Sequence, residues 1–200
     1  MKQTHFATAL LLCLAACSPP PTDGPDPAPV AANDTAAPSA RSPSPAPPPP
    51  PADAPPSADV LTLEGLGTLR IGQAVPAGSG WAERGAQISD SCRTVSSPDH
   101  PGVYAIVEDG KVRRVTLGRG SAVKLVEGLG VGAAEAEVRA AFPGFREGPH
   151  KYSDPPAKYL TAPNASGGDP ALRFEIGADS KVSLIHAGTG PVLFYVEGCA

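Results

Sequence analysis

The chain has 200 residues, a formal net charge of −4, and 26 Pro and 22 Gly against one Trp, four Tyr and five Phe. Its acidic and basic residues are nearly balanced, which excludes nucleic acid as a bulk electrostatic partner. Sixteen of the prolines fall between Ser18 and Ala58, which excludes a uniformly folded chain and marks a boundary between two kinds of sequence.

In chain order, the first element is an apolar run from Phe6 to Leu14, preceded by Lys2 and His5 and followed by Ala15-Ala16-Cys17. Nine residues are too few to span about 30 Å of hydrocarbon as a helix, so the run reads as a secretory signal over residues 1–16. The stretch Leu14-Ala15-Ala16-Cys17 resembles the lipobox of bacterial lipoproteins. That resemblance implies lipidation of Cys17, cleavage before it, and a membrane as the first partner. Ser18 after the cysteine resembles the pattern of lipoproteins sent to the outer membrane, where a Gram-negative source would place the protein facing the periplasm. Residues 17–58 have one valine and no aromatic side chain, and read as a disordered Pro/Ala-rich linker.

Residues 59–200 are long enough for one domain with its own core, carrying 14 basic and 16 acidic side chains. The two cysteines left in it, Cys92 and Cys199, are expected to pair in an oxidising compartment. Two hairpins are predicted. Asp109-Gly110 sits between Val103–Glu108 and Lys111–Leu117, and Gly177–Ser180 separates the alternating run Leu172–Ile176 from a strand carrying Val182 and Leu184. The apolar stripe Ala134, Val138, Ala141, Phe142 predicts a helix over 133–142, stopped by Pro143-Gly144. A short, broken helix is expected around Trp81–Gly85, and a last strand in Leu193–Cys199. The fold class is therefore α+β. Two related halves, about 64–118 and 127–200, each set a short helix on an antiparallel sheet, and one disulfide staples them.

The elements GLGTLRIGQ, VEDGKVRRV, GLGVGAAEAEVRAAF, HKY, LRFEI and YVEGC resemble a group of uncharacterised bacterial secreted proteins and lipoproteins. More distantly, the layout is similar to β-lactamase inhibitory protein and to the outer-membrane assembly lipoprotein BamE. The resemblance implies a domain that binds proteins and has no catalytic machinery.

Residue chemistry points the same way. Gly128, Gly130 and Gly132 before a helix imitate a dinucleotide turn, but no parallel strand ending in an acidic residue follows, so no cofactor is expected. There is no C-x-x-C or paired-histidine metal pattern. His100 and His150 fall in loops, and His186 shares a strand with apolar residues, where a satisfied imidazole is the expected state. No G-x-S-x-G is present. The alternative is a periplasmic hydrolase assembled around His150 and Lys151. For binding, Lys111, Arg113, Arg114, Arg119 and Lys124 form a basic run, and Trp81, Tyr152 and Tyr159 fall in segments expected to be irregular, where aromatic side chains anchor interfaces. With His150 these are the candidate contacts to an envelope or secreted protein.

Overall fold

The computed structural model describes residues 60–85, 87 and 89–199. The signal segment 1–16, Cys17 and the linker 17–58 lie outside the described residues. Among the described residues there are twelve strands: β1 (Val60–Thr62), β2 (Gly65–Leu66), β3 (Leu69–Arg70), β4 (Ala82–Glu83), β5 (Cys92–Ser96), β6 (Val103–Glu108), β7 (Lys111–Leu117), β8 (Lys124–Leu125), β9 (Arg146–Pro149), β10 (Lys158–Thr161), β11 (Ala171–Ile176) and β12 (Val182–Gly188). One helix, α1 (Glu135–Ala141), precedes β9, and a 3₁₀ turn, Val192–Phe194, follows β12.

The main sheet is antiparallel, ordered β4-β5-β6-β7-β12-β11-β10-β9. It consists of two four-stranded meanders that meet where β7 pairs with β12. Both predicted hairpins lie at its centre. Asp109 and Gly110 adopt φ of 52° and 74°, the left-handed pair that a two-residue turn between right-twisted strands requires. Each hairpin also carries a bulge. Ile106 faces Arg114 but Val107 faces Val112, so Arg113 is an extra residue; Glu175 faces Leu184 but Ile176 faces Val182, so Ser183 is another. The bulges let Val112 with Val115, and Val182 with Ile185, point to the same side although each pair is three residues apart, an odd spacing that regular alternation forbids.

One face of the sheet is covered by α1 and by a small second sheet, β3-β2-β1-β8. Leu61, Leu66, Leu69, Leu125 and Val138 pack there on Val112, Val115, Leu117, Phe174 and Ile185, all 3% exposed or less. Phe142 and Phe145 lean on Phe174 with ring centroids 5.5 and 5.8 Å away, so the residues ending the helix fasten it to the sheet. Ala134, the residue before α1, has no side-chain oxygen to cap it. Glu137 instead reaches back to the Ala134 amide at 2.7 Å, which satisfies half of a capping box. Outside, Glu135 and Glu147 alternate with Arg139 and Lys158, with Arg139–Glu135 at 2.7 Å and Lys158–Glu135 at 3.2 Å. Burial pushes the Glu135 carboxyl up, but the hydrogen bonds from Arg139 and Lys158 outweigh it and hold the group below its ordinary range.

The other face is crossed by the C-terminal segment. Val192 and Tyr195 pack on Cys92 and Ile106, and Leu193 packs on Ala162, Ala165 and Ala171. The Cys92–Cys199 disulfide closes this strap, with Cα atoms 5.6 Å apart. Two expectations are corrected here. The predicted last strand is the 3₁₀ turn followed by irregular chain, because the strap lies across the strands and pairs with carbonyl-seeking side chains rather than with an edge. The residues expected to form a broken helix at Trp81–Gly85 instead include β4, which pairs Ala82 with Ser96. Gly78, Gly80 and Gly85 all have positive φ, which a helix cannot use. Among the described residues α1 is the only α-helix, and it belongs to the second half.

Candidate functional site

The strap covers a polar row. Read across the sheet in register, Tyr104, Thr116, His186, Arg173 and Thr161 lie side by side on the face opposite the main core. Thr116 Oγ1 and His186 Nδ1 are 2.9 Å apart. Next to this row Arg114, completely buried, donates to the carbonyl of Val192 at 3.0 Å and to that of Tyr195. Arg173 donates to the carbonyl between them, Phe194, at 3.2 Å. Two guanidiniums thus hold three of the four strap residues from Val192 to Tyr195. Burial lowers the pKa of both, and Tyr104 opposes the effect at Arg114 without closing a hydrogen bond to Nε or Nη2.

The basic run therefore does not form one surface. Arg114 is buried because regular alternation along β7 puts it on the same face as Thr116, under the strap. Arg113 is half-buried, and its backbone carbonyl accepts from Thr189 at 2.9 Å. Lys111 and Arg119 are exposed, while Lys124 lies in the second sheet. Trp81 is 7% exposed and stacks on His100 at 5.3 Å, so it is a core residue. Tyr159 is not in irregular chain but in β10, also buried, with the His150 ring stacked at 4.9 Å and the Arg173 guanidinium 3.7 Å from its ring centre. Of the aromatic candidates only Tyr152 is largely exposed.

His150 and His186 are both engaged. The Tyr152 amide donates to His150 Nδ1 at 3.1 Å, which forces that nitrogen to be the acceptor, and Nε2 lies 3.1 Å from Glu175 Oε1. Neither nitrogen is left to take a proton from a substrate. His186 is held uncharged: burial first, then the charges of Arg114 and Arg173, drive its pKa well below 6.5. A base whose folded pKa is depressed stabilises the fold above its unfolded pKa and loses that contribution as pH falls. Stability should therefore decline from about pH 6.5 downward, with a slope of up to about 1.4 kcal/mol per pH unit from this residue. Glu135 adds its own loss, in the same direction, below about pH 4.5. Urea melts from pH 8 to 4 check this; His186→Gln should remove the step near 6.5 and leave the lower one.

A surface that the candidate residues did not include lies on the second sheet. β1 and β8 pair in parallel, Leu61 opposite Leu125, and each runs into a turn, Leu63-Glu64 and Val126-Glu127, at the start of a similar segment: Leu63-Glu64-Gly65-Leu66-Gly67 and Val126-Glu127-Gly128-Leu129-Gly130. In both, the leucine before the last glycine is buried and the first aliphatic residue is not; Leu63 is 39% and Val126 73% exposed. Between the turns lies a cavity of about 330 Å³ with Leu61, Leu125, Phe142 and Leu172 in its wall. A larger one, about 740 Å³, shares Leu63 and Glu64 and extends to Arg70, Ile71 and Asp169. Thr62 hydrogen-bonds the Glu64 carboxylate and, with the residue's own backbone amide, holds its pKa below the ordinary range. Gly65 allows the first turn: at φ 134° any Cβ would stand 2.0 Å from the Leu69 carbonyl. The sequence signal for this surface is the echo LEGLG and VEGLG, 63 residues apart. Among the described residues no group of three His, Cys, Asp or Glu side chains converges to hold a metal.

No family model, curated protein or solved structure matches the chain.

Proposed function

We propose that the protein is a lipid-anchored envelope protein, acylated on Cys17, whose linker presents residues 59–200 as a non-catalytic protein-binding domain. The observation that carries the binding role is the pair of turn tips at Leu63 and Val126. Turn tips favour Gly, Pro, Asn, Asp and Ser, and a branched aliphatic side chain in that position, twice, serves no turn chemistry. Exposed together over a shared cavity, the two supply the apolar centre of an interface. The engagement of both His150 nitrogens counts against the hydrolase alternative.

The reading extends to two related halves resembling β-lactamase inhibitory protein and BamE. Its support is the pair of meanders β4–β7 and β9–β12, the bulges at Arg113 and Ser183, and the repeated turns. In a Gram-negative cell the anchor is in the outer membrane facing the periplasm. Envelopes carrying the wild-type protein, after detergent extraction, should yield one stoichiometric partner that a Val126→Asp variant loses, and Cys17→Ala should move the protein to the soluble fraction. Identical capture by both proteins, or none, refutes the interface; tight membrane association of Cys17→Ala refutes the anchor.

A further inference from the structure

Resting on that reading, we infer that the partner presents a cationic segment, an apolar side chain flanked by lysine or arginine, and that the two turns receive it jointly. The exposed aliphatic tips are each followed directly by a glutamate, Glu64 and Glu127, and both glutamates are exposed. They border the 330 Å³ cavity from its two turns, and Asp169 lines the adjoining one. Among the described residues Arg70 is the only cation in the walls of these two cavities, so the rim is anionic by three carboxylates to one guanidinium.

Ordinary solubility does not account for the arrangement. A glutamate beside an exposed aliphatic residue would keep a single turn soluble wherever it lay, but here β1 and β8 pair in parallel and set both copies next to one another. An apolar side chain that enters the cavity meets Leu61, Leu125, Phe142 and Leu172, and positions its neighbours in the sequence against the two carboxylates. An acidic partner would be excluded by the same rim, which makes the carboxylates the source of specificity.

Short probe peptides test this on the mature chain kept soluble by Cys17→Ser. The basic apolar peptide KLKVK, the acidic ELEVE and the apolar-free KSKSK are titrated separately, with the amide signals of Leu63, Gly65, Val126 and Gly128 followed by NMR. The expected result is a saturable shift with KLKVK, at least tenfold weaker binding of KSKSK, and none of ELEVE. The double variant Glu64→Lys, Glu127→Lys, whose changes lie on exposed turns, should weaken KLKVK at least tenfold while its remaining spectrum is unchanged. No saturable shift with KLKVK, equal binding of ELEVE, or unaltered binding by the double variant overturns the inference. If the double variant still captures the envelope partner that Val126→Asp loses, the protein-binding role stands and only the cationic segment is wrong.

Discussion

Replacing both Cys92 and Cys199 by alanine should lower the free energy of unfolding by about 4.8 kcal/mol, the chain-entropy value for a bridge between residues 107 apart. That is comparable with the whole stability of many domains of this size. The loss is expected to be local before it is global. The bridge ends a strap whose apolar contacts, Val192 and Tyr195 on Ile106 and Leu193 on three alanines, are few compared with those of the main core. The strap amides should therefore lose protection from hydrogen exchange first, while Phe174 and its neighbours stay protected. Urea melts of the oxidised and cysteine-free chains measure the total, and a difference below about 1 kcal/mol would show that the strap is held without the bridge.

The second large effect is expected at Arg114. Truncation to alanine removes the donors to the Val192 and Tyr195 carbonyls and opens a cavity in a site that is completely buried. Hydrogen bonds from a charged donor contribute about 1.5–3 kcal/mol each, and relief from burying the charge offsets part of that, so Arg114→Ala should cost about 3–4 kcal/mol. Arg114→Met fills the space of the stem, removes the charge and still orphans the carbonyls, so its cost should be smaller. Because the guanidinium and the disulfide fasten the same segment, their effects should not add: in the cysteine-free chain Arg114→Ala should cost less than in the bridged one. Additive losses would mean that Arg114 acts on the sheet alone.

Much of the sheet was legible from local chemistry. Asp109-Gly110 announces its turn because few residues tolerate positive φ in succession, and the helix over 133–142 is recognisable, observed as Glu135–Ala141, from apolar spacing and the Pro143-Gly144 stop. The disulfide was expected from the count of two cysteines in residues 59–200 and from the oxidising compartment proposed for the protein. Harder to read were features that depend on distant partners. Arg114 looks like a surface cation beside Arg113 because the residues that bury it are 78 and 81 positions away. Val112 and Val115 did carry a clue to the bulge, since two core residues three apart in a strand require one. Tyr159 looked irregular because β10 is only four residues long and lies between prolines at 156 and 163. The turn-tip surface went unrecognised because each turn alone is unremarkable in composition; its meaning comes from the parallel pairing of β1 with β8.

That the two meanders join through a single strand pair has a consequence for how the chain reaches its fold. The hairpins β6–β7 and β11–β12 close short loops and can form within microseconds, whereas the seam brings Thr116 to His186 across 70 residues and must follow. Until it does, β7 and β12 are each the open border of a half-built sheet. Gly188 fits the seam closely, since a Cβ there would stand 2.4 Å from the Arg113 carbonyl, so the border admits its own partner strand only at close backbone approach. A second chain in the same half-built state offers an identical border. Seam closure is accordingly the step at which crowding of unfolded chains would exchange halves between molecules, and the disulfide across Cys92 and Cys199, which ties the C-terminal strap to the first meander, is what fixes each half to its own chain.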